Sequence, residues 1–296
     1  MWLRCSRCAS RRLPPPRGYA APGLGAPPPS IARLSAFIAV LIVCTTGPIF
    51  CQANGWEEDG LAGKVKSMSI EAGRKLVQRA EYSATGQKTE EAHYSSNGAL
   101  LWTFFFAYDG SGRRVSTEVR LANGNVGTKL VFAYGKGGRR TESTTSGADG
   151  AVQEHSQYSY DERGNNTEIA QFAADGSTVG RWTYAYDGRG RPREWTVYAA
   201  DGSLSEASEY AYDSEGRLKV ATQYRADNSL DRKVIYDSRG NELEAERYSA
   251  DGQLLWKRQY EYSFDSAGNW ITKTTKELHG KDYATAEVER RRIEYY

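Results

Sequence analysis

Tyr108-Asp109-Gly110-Ser111-Gly112-Arg113, Tyr186-Asp187-Gly188-Arg189-Gly190-Arg191 and Tyr212-Asp213-Ser214-Glu215-Gly216-Arg217 are three copies of one aromatic turn. The aromatic that opens it recurs at Tyr82, Tyr108, Tyr134, Tyr160, Tyr186, Tyr212, Tyr236 and Phe264, in steps of 26 five times, then 24, then 28. A fixed period of this size marks a supersecondary unit that stacks on its neighbours. Midway between these turns stands a second one, such as Ser96-Asn97-Gly98, Ala148-Asp149-Gly150 and Ala200-Asp201-Gly202. Asn-Gly and Asp-Gly are strong hairpin signals, and their tolerance of positive φ predicts type I′ turns. Asn228 replaces the glycine in Ala226-Asp227-Asn228, and Asn is the next residue best able to enter the left-handed region. Each unit is therefore strand, DG turn, strand, YDxxG turn. Connections this short allow only antiparallel pairing.

The stretches between turns alternate with period two. Two residues before each anchor stand Phe106, Phe132, Tyr158, Tyr184, Tyr210, Val234 and Tyr262, and the intervening positions are mostly small or polar. The irregular units keep this pattern. Asn228 to Tyr236 is 8 residues and Gly252 to Phe264 is 12, where the usual distance is 10. Even changes keep each side chain on its face, whereas an odd change would reverse every later one. The fold predicted is all-β: an extended antiparallel meander of about 15–17 strands that can curve, beginning near Asp59-Gly60 and ending in a hairpin turned at His279-Gly280. Arg290, Arg291 and Arg292, interspersed with Glu289 and Glu294, read as charges that protect an edge strand from pairing.

Residues 1–53 differ from the rest. They hold all four cysteines, eight of the nine prolines, six arginines and no acid. The apolar run Leu34–Thr46 is too short for a spanning helix and fits the core of a secretory signal, with cleavage expected after Ala53. The long region ahead of it reads either as an upstream start that is not used or as an organelle transit segment. The expected mature domain, 54–296, has 33 basic residues against 37 acids, so a whole-chain charge of +2 becomes −4. Mixed charge without a basic patch argues against a nucleic-acid partner. It contains no cysteine and no apolar stretch long enough for a transmembrane segment, so neither thiolate chemistry nor disulfide stabilisation is expected there. The expected location is secreted, periplasmic or cell surface.

The YDxxG[R/N] turns, with aromatics before them and DG turns between, resemble the RHS or YD-repeat family over roughly residues 80–270. The closing Phe264-Asp265-Ser266-Ala267-Gly268-Asn269-Trp270 and the Arg-x-Ile-x-Tyr-Tyr ending are similar to short bacterial proteins of that type. The resemblance implies a β-repeat architecture, used in large members as a hollow shell or an adhesive surface. No effector domain or self-cleaving aspartyl core is recognisable to imply a toxin shell.

No catalytic, cofactor-binding or metal-binding residue is expected. His93, His155 and His279 lack ligand spacing and read as solvated side chains. Each turn offers essentially one Asp, too few for calcium, and Asn165-Asn166-Thr167 is a sequon already explained by its turn. The aromatics carry the functional expectation, with 19 Tyr and six Trp in 54–296. Ring ladders on a sheet serve either as core or as a platform for sugars and polymers. Trp182, Trp195 and Trp256 do not recur in their own columns, and are the expected ligand contacts. If Tyr186 pairs with Arg191, Trp182 lies opposite Trp195. The function expected is a non-enzymatic binding module for glycan or cell-wall polymer, or alternatively a scaffold or small shell that pairs with another protein.

Overall fold

The computed structural model describes residues 54–296, so the leader and its cleavage point lie outside the described residues. A short helix, α1 (Gly55–Glu58), is the first element among the described residues. Asn54 caps it by accepting from the Glu57 N–H, while the Glu57 carboxylate accepts from the Asn54 N–H.

Eighteen strands follow. They are β1 (Val65–Ala72), β2 (Lys75–Tyr82), β3 (Lys88–Tyr94), β4 (Leu100–Tyr108), β5 (Arg114–Leu121) and β6 (Val126–Tyr134). Next come β7 (Arg140–Gly147), β8 (Val152–Tyr160), β9 (Asn166–Ala173), β10 (Thr178–Tyr186), β11 (Pro192–Ala199) and β12 (Leu204–Tyr212). The last are β13 (Leu218–Arg225), β14 (Leu230–Tyr236), β15 (Glu242–Tyr248), β16 (Leu254–Phe264), β17 (Trp270–His279) and β18 (Asp282–Tyr295). Every strand pairs antiparallel with the next, and β18 pairs antiparallel with β1, with Met68 opposite Ile293 and Ile70 opposite Arg291. The meander is thus a closed 18-stranded barrel.

Closure corrects two expectations. The strand number exceeds 15–17 because β1 precedes the first aromatic anchor and has no YD or DG turn; Asp59-Gly60 is the end of α1 rather than a hairpin. The Arg290–Arg292 cluster does not guard an edge, since β18 has a partner on both sides. The even length changes appear as strands of 7 residues in β14 and 11 in β16, against 9 in β12.

The DG turns are not type I′. Among the described residues only glycines and Asn228 (φ 62°) have positive φ. In Ser95–Ala99, Gly98 N–H donates to Ser95 O and Ser95 N–H donates to Ala99 O. That is a three-residue loop: a type I turn followed by a left-handed residue that forms a bulge. The YDxxG loops close in the same way, with Gly112 N–H to Asp109 O and Asp109 N–H to Arg113 O. One loop geometry therefore recurs at both ends of the barrel from β2 to β17, with a register shift beside each such loop, while the β1–β2 and β17–β18 hairpins turn through two residues.

Alternation gives the wall two faces. Phe104, Val119, Thr128, Leu130 and Phe132 are buried, while Phe105 and Val131 between them are exposed. Inward side chains of a closed barrel converge and lose solvent, so the buried set faces inward. Its apolar clusters run along the wall: one joins β1, β2 and β17, and another joins Leu218, Val234, Tyr236, Ala245 and Tyr260 on β13 to β16. Eighteen strands about 4.8 Å apart give a perimeter too long for one layer of side chains to fill, so a lumen remains. The outer face carries Glu118, Lys129, Glu142, Arg181, Glu209, Lys233, Glu261, Lys276 and Arg292 near mid-strand. A lipid-facing barrel wall is apolar at that height. This wall is built to meet water, and no helix among the described residues is long and apolar enough to cross a membrane.

Candidate functional site

The YD motif itself is explained by structure. Five anchor hydroxyls reach back to the preceding repeat: Tyr108 Oη donates to Lys88 O, Tyr134 to Arg114 O, Tyr160 to Arg140 O, Tyr186 to Asn166 O and Tyr212 to Pro192 O, at 2.5–2.8 Å. The turn Asp receives the residue that closes the motif. Arg113 Nε donates to Asp109, Arg191 to Asp187 and Arg217 to Asp213, and Asn165 and Asn241 use their amides in the same way. This is why Arg and Asn alternate at that position: both carry a donor on a stem of suitable reach. The Arg113 side-chain bond, with the backbone N–H groups of its loop, holds the Asp109 carboxyl below its ordinary range. Arg113 then lies 4.9 Å over the Tyr134 ring and Arg191 4.2 Å over Tyr212, so cations and rings alternate around this rim. Asn165, of the sequon, is buried and bound to Asp161.

The structure places Trp182, Trp195 and Trp256 on the inward face, each half-buried. It does not place Trp182 opposite Trp195. Tyr186 pairs with Pro192, and the shift beside it sets Tyr184 opposite Trp195 and Trp182 opposite Val197. The loop bulge consumes the residues that a simple hairpin count misassigns. Trp195 in turn lies opposite Ser208, two residues from Tyr210 on the same face, so Tyr184, Trp195 and Tyr210 form an inward aromatic band across β10, β11 and β12. Burial pushes the Tyr210 phenol up, and pushes that of Tyr212 up to about 12. Trp256 stands apart, opposite Arg247, with Arg258 4.6 Å over its ring. The rings alternate with buried polar groups: Ser156, Gln171 and Ser208. Gln171 donates to Glu154 at 2.5 Å, and Gln223 repeats the contact with Glu206.

A second inward cluster escaped sequence reading. Lys88 Nζ lies 2.9 Å from Asp59 and 2.6 Å from Glu91, and Tyr82 Oη donates to Asp59. Glu91 also binds His93 at 2.7 Å, so His93 is not simply solvated. Arg114 pairs with Glu58 at 2.7 Å. Burial opposes charge on Lys88, but Asp59, Glu91 and Glu58 outweigh it and hold the ammonium above its ordinary value. Burial alone would lift Glu91, yet Lys88 and His93 hold it well below the carboxylate range. Carboxylates from α1 and the residue after it thus neutralise two cations of the wall. The signal was present in the repeat: Lys88, Arg114 and Arg140 each follow an anchor by 6. Among the described residues no group of three or more His, Cys, Asp or Glu is placed to hold a metal.

These features define a class: a closed, water-facing antiparallel barrel of repeated hairpins with an aromatic and polar inner wall. Residues 156–287 match a family model described only as an uncharacterised protein. No curated protein matches. Among solved structures the chain is similar to a porin-like protein from Bacteroides uniformis, at 11% identity and TM-score 0.43, over 79% of this chain and 98% of that one. A porin-like protein from Bacteroides vulgatus gives 12% and 0.36, over 78% and 98%. TcdB2-TccC3 gives 12% and 0.19, over 83% of this chain but 18% of that one. Likenesses this distant carry no functional argument.

Proposed function

We propose that the protein is a secreted, non-enzymatic binding barrel of the RHS/YD-repeat type, whose inner wall takes a glycan or cell-wall polymer. The observation that carries this reading is the half-buried inward band of Tyr184, Trp195 and Tyr210, flanked by side chains that offer hydrogen bonds. Ring faces stack on the apolar faces of sugars while neighbouring hydroxyls and amides meet their polar edges. The YD turns support the family reading, and the export signal expected before Asn54 supports the location. Peptidoglycan pull-down and a glycan array test it. Retention by the full chain, lost in Trp195→Ala with folding intact, is the expected result; no retention on either surface would sink it.

A scaffold role alongside a protein partner is the second reading. It is favoured by Leu254 and Leu255, exposed 45% and 60% at the end of the barrel away from α1. A stoichiometric partner released by Leu255→Glu would select it.

A further inference from the structure

In three successive repeats the inner wall carries a cation at its α1 end: Lys88 on β3, Arg114 on β5 and Arg140 on β7. The first two have carboxylates, Asp59 and Glu91 for Lys88 and Glu58 for Arg114. Arg140 is only 9% exposed and, among the described residues, has no carboxylate within ion-pair distance. Its Nε is buried without a hydrogen-bond partner. The guanidinium is held instead between two rings, 4.0 Å from the Phe132 centroid and 5.5 Å from that of Tyr158. Tyr158 Oη and Ser143 Oγ hydrogen-bond each other at 3.2 Å on the same face, which adds two hydroxyls to the patch. The equivalent residues of the next three repeats are Asn166, Pro192 and Leu218, so no further charge competes there.

A buried cation without a counter-ion is costly unless something pairs with it. Ring faces stabilise the charge but leave the planar N–H fork free, and that fork matches the two oxygens of a carboxylate or phosphate. We propose that Arg140, clamped by Phe132 and Tyr158 and joined by the Ser143 and Tyr158 hydroxyls, is an oxyanion-binding site inside the barrel. Glu58 and Asp59 supply in cis, at Arg114 and Lys88, what a ligand supplies at Arg140. The site rests on the lumen and its charge pattern, and stands whether or not the aromatic band binds a neutral sugar.

The test uses the full chain with inorganic phosphate, glucuronate and glucose. By NMR, phosphate and glucuronate should each shift the Arg140 Nε–Hε signal, while that of Arg114 stays in place and glucose moves neither. By calorimetry, Arg140→Gln should weaken both oxyanions at least tenfold, with Arg140→Lys between, keeping the charge but losing the fork. An Arg140 signal unmoved by either anion would overturn the site, even if the variants do not fold. Equal anion binding by wild type and Arg140→Gln would reduce it to an adventitious ion. Glucose or neutral-glycan binding without anion binding would remove this site and leave the aromatic band standing; the reverse would remove only the band.

Discussion

The two ends of this barrel use the same hairpin loop and do different things with it. At the DG end most loops are self-sufficient, the exceptions being Ala174 N–H, which donates to Gln153 O, and Arg225, which reaches Ser249 O. Asp201 Oδ1 accepts from Ser203 N–H and Oγ, both in its own turn, and a Cβ on Gly150, Gly176 or Gly202 would meet nothing within 4 Å. At the YD end the loops reach outward: Tyr108, Tyr134, Tyr160, Tyr186 and Tyr212 to the previous repeat, Arg113, Arg139 and Arg191 to the next ring, and Trp56 of α1 donates to Val65 O of β1. The lesson is that a turn motif can record two layers of information. Asx chemistry and glycine specify the loop, whereas Tyr and Arg/Asn specify what stands beside it.

The largest effect that separates the ends is expected at the seam. Asn269 is 1% exposed, accepts from Ala62 N–H at 2.7 Å, and donates to Ala62 O and Tyr295 Oη. Asn269→Ala leaves the half-buried Ala62 N–H and C=O without their partner and should cost on the order of 3 kcal/mol in urea unfolding. Asn97→Ala at the DG end, which loses two exposed bonds, from Ala99 N–H and Ser95 Oγ, should cost under about 1 kcal/mol. Equal losses would deny the asymmetry.

The tyrosines come next. Tyr186→Phe removes the 2.7 Å bond to Asn166 O and should cost about 1 kcal/mol. Tyr198, nearer the DG end, packs its ring under Arg181 at 4.5 Å, and Tyr198→Phe should leave the melting temperature unchanged.

Acid stability sharpens the comparison further. Asp109 and Asp201 both lie below the ordinary carboxyl range, Asp109 through Arg113 and Asp201 through Ser203. A depressed carboxyl contributes stability that is present above its unfolded value, and that is lost as pH falls through the lower folded value. Melting below about pH 4 should therefore change in Asp109→Asn and in Asp201→Asn. Salt should weaken only the first contribution, because one donor is charged and the other is neutral. A salt response at Asp201 would contradict this assignment.

A small gain is expected at Asn228, among the described residues the one non-glycine in a left-handed loop position. Asn228→Gly should gain about 0.5 kcal/mol, read as a slightly higher melting temperature. A loss would mean that Asn228 makes a contact worth more than its backbone strain.

Most of the fold was legible because strand period, loop glycines and even length changes are local properties. Closure was not. Nothing in Met68, Ile70, Arg291 or Ile293 announces that residues more than 220 positions apart will pair, and β1 has neither turn signal to mark it. The tryptophan pairing failed for a related reason: bulges add residues that have no signature of their own. The three tryptophans expected as ligand contacts stand on one face of the wall. The Lys88–Asp59 cluster was missed because half of it comes from α1, outside the repeat. Arg140 is visible only when the residue 6 positions after each anchor is read as a column.

The β1–β18 seam also bears on how the barrel comes into being. Hairpins can form as each pair of strands emerges, but the ring closes only when β18 finds β1. Joining ends so far apart costs roughly 5 kcal/mol of chain entropy, and it is repaid only at that last step. Until then the growing sheet has two bare edges, each able to recruit a second chain. The seam contacts of Asn269, Tyr295 and Tyr296 therefore act as a latch on assembly. A chain that loses them should polymerise edge to edge before it unfolds.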